Sequence, residues 1–140
     1  MDETWTLKVL DTDTLIAILR GNAAVRLRQE QVATSLATTI ISLAELSYGA
    51  AKSRFPQPEQ ARVAALLRSM EVLDLTREAA RTFGDLKALL ERQGRKLPDA
   101  DLFIAAICLE HGATIVTGNR RHFDRIPGLA IENWIDGSDA

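Results

Sequence analysis

The sequence predicts an α/β fold with a mainly parallel central sheet. Three observations lead there. Short apolar runs of strand length recur along the chain. Helix-length segments with recognisable caps and stops separate them. The two kinds alternate, which is the mark of βα units whose sheet is covered on both faces. A chain of 140 residues reads as a single domain spanning 1–140.

LKVL (7–10) is a short apolar run ended by Asp11 and reads as a buried strand. TLIAILRG (14–21) suits a helix stopped by Gly21. NAAVRLRQEQ (22–31) reads as a short amphipathic helix, SLATT (35–39) as a second strand and 41–54 as a helix. Pro56 and Pro58 mark a turn before a helix over 59–70. VLDL (72–75) is a strand. A long helix over 76–94 has Thr76 as its cap, Glu78 in its first turn and Gly94 as its stop. PDADLFIAAICLEHG (98–112) begins with proline at the first helical position. It is apolar almost all round, so it is expected inside. ATIVTG (113–118) is a strand, NRRHFDR a turn or short helix, and LAIENW (129–134) the last strand.

Composition narrows the function classes. The chain is 46% hydrophobic and 26% charged, which fits an ordinary soluble domain. No apolar run approaches the ~20 residues of a membrane span, and the acidic start MDETWTLKVL does not fit a secretory signal. A single cysteine, Cys108, excludes an internal disulfide framework and fits a reducing cytoplasm. With a net charge of −2, no global positive field advertises nucleic acid, so any such binding needs a local basic stripe.

Three acidic residues stand where apolar runs open or end: Asp11, Glu45 and Asp101. In such folds the crevice lies beyond the carboxyl ends of the strands, and these residues fall where they can face it. A carboxylate buried without a partner is costly, and three together repel unless a cation sits among them. Each also has an ordinary role. Asp11 is a favoured helix cap, although Asp13 and Thr14 compete for that place. Ser42-x-x-Glu45 matches a capping box. Asp101 favours a helix dipole, but Asp99 lies nearer the terminus and does so better. Asn119 and Thr117 close TIVTG as ligand or turn residues. His111 suits a helix C-terminus, and His122 is either a phosphate contact or a solvated turn residue. Arg92, Arg95, Lys96, Arg120 and Arg121 are rim cations for phosphate or plain surface. Serine-triad, nucleophile-elbow, Walker and dinucleotide-loop patterns are absent.

Taken together, LDTDTLIAILRG, SLAELSYGAAKS, LPDADLFIAAICLEHGA, TIVTGNRRHFDRIPGL and LAIENW resemble the PIN domain, specifically the VapC-type ribonuclease toxins of VapBC toxin–antitoxin pairs. The match runs from Leu7 to Trp134 in the family's order. It implies a three-layer α/β/α fold and Mg²⁺- or Mn²⁺-dependent hydrolysis of RNA, leaving a 3′-hydroxyl and a 5′-phosphate. It implies Asp11 and Asp101 as direct metal ligands. Glu45 becomes a ligand through water or the orienter of the attacking water, and Asn119 takes a fourth catalytic position often held by Asp. Asp13 stands where Asn is common. Thr117, Arg95, Lys96, Arg120 and Arg121 are the expected substrate contacts. A homodimer and a cognate antitoxin that blocks the cleft also follow from the resemblance; the RNA target does not, and transfer RNA is one candidate. D-T-D-T at 11–14 also fits the loop of haloacid-dehalogenase-type phosphatases, with Asp11 as nucleophile, Asp13 as general acid and Lys96 forced into service, though the chain is short for that family and Glu45 would have no role. A non-catalytic binding domain is the third reading.

Overall fold

The computed structural model describes residues 6–32 and 36–136. Five strands, β1 (Lys8–Leu10), β2 (Leu36–Thr39), β3 (Glu71–Leu73), β4 (Thr114–Val116) and β5 (Ala130–Glu132), form one sheet in the order β3-β2-β1-β4-β5. Every pairing is parallel. The helices are α1 (Thr12–Leu19), α2 (Ala23–Gln31), α3 (Ile40–Ala51), α4 (Pro56–Leu67), α5 (Arg77–Arg92), α6 (Asp99–Glu110) and α7 (Arg120–Phe123).

The period of two along each strand sorts side chains to the two faces. Val9, Ala37 and Ile115 join α5, α6, Phe123 and Ile126 in one core. Their neighbours Leu10, Leu36 and Val116 join Leu15, Ile18, Val25, Leu46, Val63, Leu67 and Trp134 in the other. The sheet therefore lies between α5 and α6 on one side and α1 to α4 on the other, giving the expected three layers. The all-round apolarity of α6 has its cause here: Leu102 and Ile104 to Cys108 are all within 1% of full burial. Cys108 is a free core thiol, and burial pushes its pKa upward.

Local chemistry sets the boundaries. Asp11, Asn22, Thr39 and Thr76 cap α1, α2, α3 and α5 with side-chain oxygens. Helix α6 ends on Gly112 at φ 59°, with Gly112 N–H donating to Leu109 and Ala113 N–H to Cys108. That double bond satisfies carbonyls the helix leaves open, and the left-handed turn suits glycine. Gly94 ends α5 in the same way.

Of the boundaries that differ from the sequence reading, three have a local chemical cause. Pro56 and Pro58 lie inside the first turn of α4 rather than before it, because a missing N–H costs nothing where the helix has no partner for it. Pro98 is the cap residue of α6, not its first residue. Helix α1 starts at Thr12, two residues early, because Asp11 takes the cap. The strand expected from residue 35 begins outside the described residues. Among the described residues, no helix is long and apolar enough to cross a membrane.

The order places a switch point between β1 and β4, from which the chain winds outward both ways. The crevice of a parallel sheet opens at such a point. The core makes a prediction of its own. Ile107→Ala, at a position with no exposure, is expected to cost about 2–5 kcal/mol in urea unfolding. The exposed Arg81→Ala should stay within about 0.5 kcal/mol of wild type.

Candidate active site

Leu10 and Val116 are register partners at the ends of β1 and β4. The next residue of each strand, Asp11 and Thr117, therefore stand side by side. Asp11 Oδ1 accepts from Thr12 N–H at 2.8 Å and Oδ2 from the Thr117 hydroxyl at 2.8 Å. Only 6% of Asp11 is exposed. The helix-cap role is thus the observed one, and it holds the carboxylate at the switch point. Asp13, one residue into α1, accepts from Gly118 N–H through Oδ2 at 2.9 Å and from the Thr14 hydroxyl through Oδ1 at 3.3 Å. A Cβ on Gly118 would lie 2.9 Å from that Oδ2 and 2.8 Å from Ile135 Cδ1. The glycine is what lets the β4 exit approach Asp13. Asn119 N–H donates to Thr117 Oγ1 at 3.0 Å, tying the next residue to the same point.

Glu45 reaches this end of the sheet from α3. The capping box expected of Ser42 and Glu45 does not form, because Thr39 is the cap and accepts from Ser42 N–H at 3.1 Å. That shift puts Glu45 a turn deeper, where Oε1 accepts from the Thr12 hydroxyl at 2.6 Å. With its one proton given to Glu45, Thr12 Oγ1 is left to accept from the Ser42 hydroxyl 3.0 Å away. Sequence reasoning passed over Thr12; its only signal was a hydroxyl between two aspartates.

Asp101 sits in the first turn of α6, with Oδ2 2.6 Å from His122 Nδ1. Asp99 turns outward to Lys87 at 3.0 Å. The two first-turn carboxylates are therefore divided as expected, one to surface pairing and one inward. Of the two sequence readings of His122, phosphate contact or solvated turn residue, the second does not hold, since the ring pairs with Asp101. Its Nδ1 also lies 3.1 Å from Asn119 Nδ2, so the two family-matched residues Asp101 and Asn119 meet on a histidine that the sequence reading left outside the site. Arg95 and Lys96 lie on the exposed turn between α5 and α6, and Arg120 and Arg121 on α7 just after Asn119. Lys96 lines a hollow with Lys87, Glu91 and Asp99 in which Asp11 has no part. That placement does not serve the phosphatase reading, which needs Lys96 beside Asp11.

The electrostatics are one-sided. Burial first, then the Asp13 charge, push the Asp11 carboxyl up to about 7; Asp101 adds to the rise and the Thr117 and Thr12 hydrogen bonds oppose it. Burial likewise raises Asp13, against the Gly118 bond. Hydroxyls and amides hold these groups but bring no full positive charge. The donor set of carboxylate oxygens, hydroxyls and an amide is what a hard divalent cation takes. Among the described residues, no three acidic, imidazole or thiol side chains already form a closed cage. In this state Thr12, Thr117 and His122 engage the oxygens that a cation would claim. The site therefore fits such an ion in chemistry and charge.

A parallel sheet with carboxylates gathered at its switch point defines a class of protein, and comparison with known proteins agrees. The PIN domain model matches residues 8–129. Ribonuclease VapC2 of Haemophilus influenzae is 34% identical over 128 residues, covering 91% of this chain and 97% of that protein. The tRNA(fMet)-specific endonuclease VapC of Salmonella typhimurium is 36% identical over 127 residues, covering 90% and 96%. The crystal structure of VapBC2 from Rickettsia felis, bound to a DNA fragment from their promoter, superposes with a TM-score of 0.88 at 30% identity, covering 92% of this chain and 99% of that one. The chain belongs to the PIN-domain family and, within it, to the VapC ribonucleases.

The raised Asp11 pKa carries a pH dependence. The folded chain binds this proton more tightly than the unfolded chain, whose ordinary value is 3.8. The contribution of Asp11 to stability is therefore greatest at low pH and is lost as pH rises from about 4 to about 7. In EDTA, Asp11→Asn is expected to melt higher than wild type near neutral pH, with the gap closing toward pH 4. The check is melting temperature against pH for both proteins. A gap that widens on acidification would reverse the assignment.

Proposed function

We propose that this VapC-family endoribonuclease toxin works with a divalent metal, Mg²⁺ or Mn²⁺, and takes transfer RNA as its substrate. The single observation behind the metal is the burial of Asp11 beside Asp13 and Asp101 with no counter-cation. Asp11 and Asp101 would hold the ion directly, and Glu45 would do so through water or by orienting the water that attacks. When bound, the ion makes a coordinated water more acidic and offsets charge on a phosphoryl oxygen.

The chain's own groups supply the rest. Thr117 fixes the orientation of Asp11, and Thr12 fixes that of Glu45. Neither hydrogen bond brings a charge that competes with an ion. Gly118 N–H and the Thr14 hydroxyl hold Asp13 at the rim as an added carboxylate. Asn119 stands at the fourth position as a neutral donor. Arg120 and Arg121 follow it on α7, and Arg95 and Lys96 precede α6, so both basic pairs adjoin segments that carry site residues. With a net charge of −2, RNA affinity has to come from such local groups.

The substrate reading rests on the Salmonella relative, whose name records action on tRNA(fMet). The antitoxin partner rests on relatives whose structures are VapBC complexes; that it covers the crevice, and that the toxin is a homodimer, rest on the family resemblance alone. The cytoplasm, where transfer RNA is found, is the proposed place of action.

The experiment is cleavage of transfer RNA by purified, antitoxin-free protein. Cleavage is expected with Mg²⁺ or Mn²⁺ and lost in EDTA. Asp101→Asn should lower the rate at least ~100-fold while remaining folded, since loss of one charge from the ion's surroundings weakens both binding and charge stabilisation. Asp99→Asn, paired with Lys87 at the surface, should stay within a few-fold of wild type. Cleavage that persists in EDTA overturns the metal reading. A dead Asp99→Asn beside an active Asp101→Asn overturns the residue assignment.

A further inference from the structure

Asp101, His122 and Asn119 bring three donor groups to one point. His122 Nδ1 lies 2.6 Å from Asp101 Oδ2 and 3.1 Å from the Asn119 amide terminus. Rotating that amide by half a turn presents its oxygen instead of its nitrogen, a choice that depends on what it faces. Adjacent ligands on a six-coordinate ion with bonds near 2.1 Å stand about 3 Å apart. The observed spacings bracket that value.

The arrangement is held from behind. Phe123, next to His122, has no exposure, and Ile126 has 3%. These anchors fix α7 against the core that also contains α6. The front is open, since a third of the His122 side chain is exposed. An ion has access from the crevice, and the ligands need little movement to receive it.

We infer that His122 is a metal ligand of this chain, its Nδ1 forming with Asp101 Oδ2 a nitrogen–oxygen edge that favours Mn²⁺ over Mg²⁺. This rests on the proposed function, and it adds a ligand that the acidic residues alone do not provide. Mn²⁺ also prefers oxygen, but as a first-row transition ion it accepts one imidazole nitrogen more readily than Mg²⁺, which takes oxygen and keeps its waters. On binding, the ion takes the place of the proton shared by Oδ2 and Nδ1, which leaves to water. The competing account is a hydrogen bond that only ties α7 to α6.

Pulsed electron paramagnetic resonance of Mn²⁺ added to the untagged full chain separates the two. The chain has two histidines, and His111 caps the opposite end of α6. Nitrogen modulation of a directly bound imidazole is expected in wild type and in His111→Asn. It should vanish in His122→Asn and in His122→Gln, with folding checked by circular dichroism. Displacement of Mn²⁺ by Mg²⁺ should become easier by on the order of tenfold in the His122 variants. Mn²⁺ that binds through Asp11 but shows no imidazole nitrogen overturns the inference and leaves the proposed function standing. Modulation that survives in both His122 variants overturns it as well. If no Mn²⁺ binds, both fall.

Discussion

The site depends on Asp11 being taken out of water at the end of the central strand, with no cationic side chain among the described residues to meet it. The register of β1 and β4 leaves little choice: Leu10 opposite Val116 brings Asp11 against Thr117. Asp11 is also the cap of α1, so the carboxylate cannot leave without uncapping the helix that packs Leu15 and Ile18 into the core. The fold thus holds a negative charge where water is excluded. Burial first, then neighbouring Asp13 and to a lesser extent Asp101, make that charge harder to keep and push the Asp11 carboxyl up to about 7. On the proposed reading, a divalent ion would resolve the conflict, and relief of the buried charge would contribute to its affinity.

Around that point the groups divide into those that hold and those that receive. Thr117, Thr12, Thr14 and the Gly118 amide each donate one neutral hydrogen bond to a carboxylate. A lysine or arginine in their place would stabilise the empty protein and compete with an ion. Two basic residues of the neighbourhood are instead paired with surface carboxylates, Lys87 with Asp99 and Arg120 with Asp124. Farther off, Lys8, Arg28 and Trp134 converge on Glu132 and lower its pKa against the effect of burial. That cluster joins β1, α2 and the end of β5, and the Glu132 carbonyl accepts from Thr117 N–H.

Much of this was legible in the sequence, for physical reasons. Asp11 and Asp101 stand out because a carboxylate beside a continuous apolar run must find a partner. The strands showed as short apolar runs, and α6 as a helix without a polar face. What escaped was set by neighbours in space. The Ser42-x-x-Glu45 spacing is real, but Thr39 one turn earlier wins the cap, and nothing local weighs the two. Thr12 matters only because α3 crosses it. His122 lies 21 residues from Asp101, on a helix of a single turn whose orientation comes from burying Phe123. The prolines before α4 read as a turn because their acceptance in a first helical turn depends on the residues that follow.

The central claim is that buried, uncompensated carboxylates at the switch point are a cation site. Thermal unfolding at neutral pH across a series of Mg²⁺ and Mn²⁺ concentrations tests it without RNA or antitoxin. A ligand that binds only the folded state raises its stability by an amount that grows with the logarithm of concentration. The account predicts a rising melting temperature for wild type and a flat one for Asp11→Asn. Equal responses in the two proteins, or none in either, would contradict it.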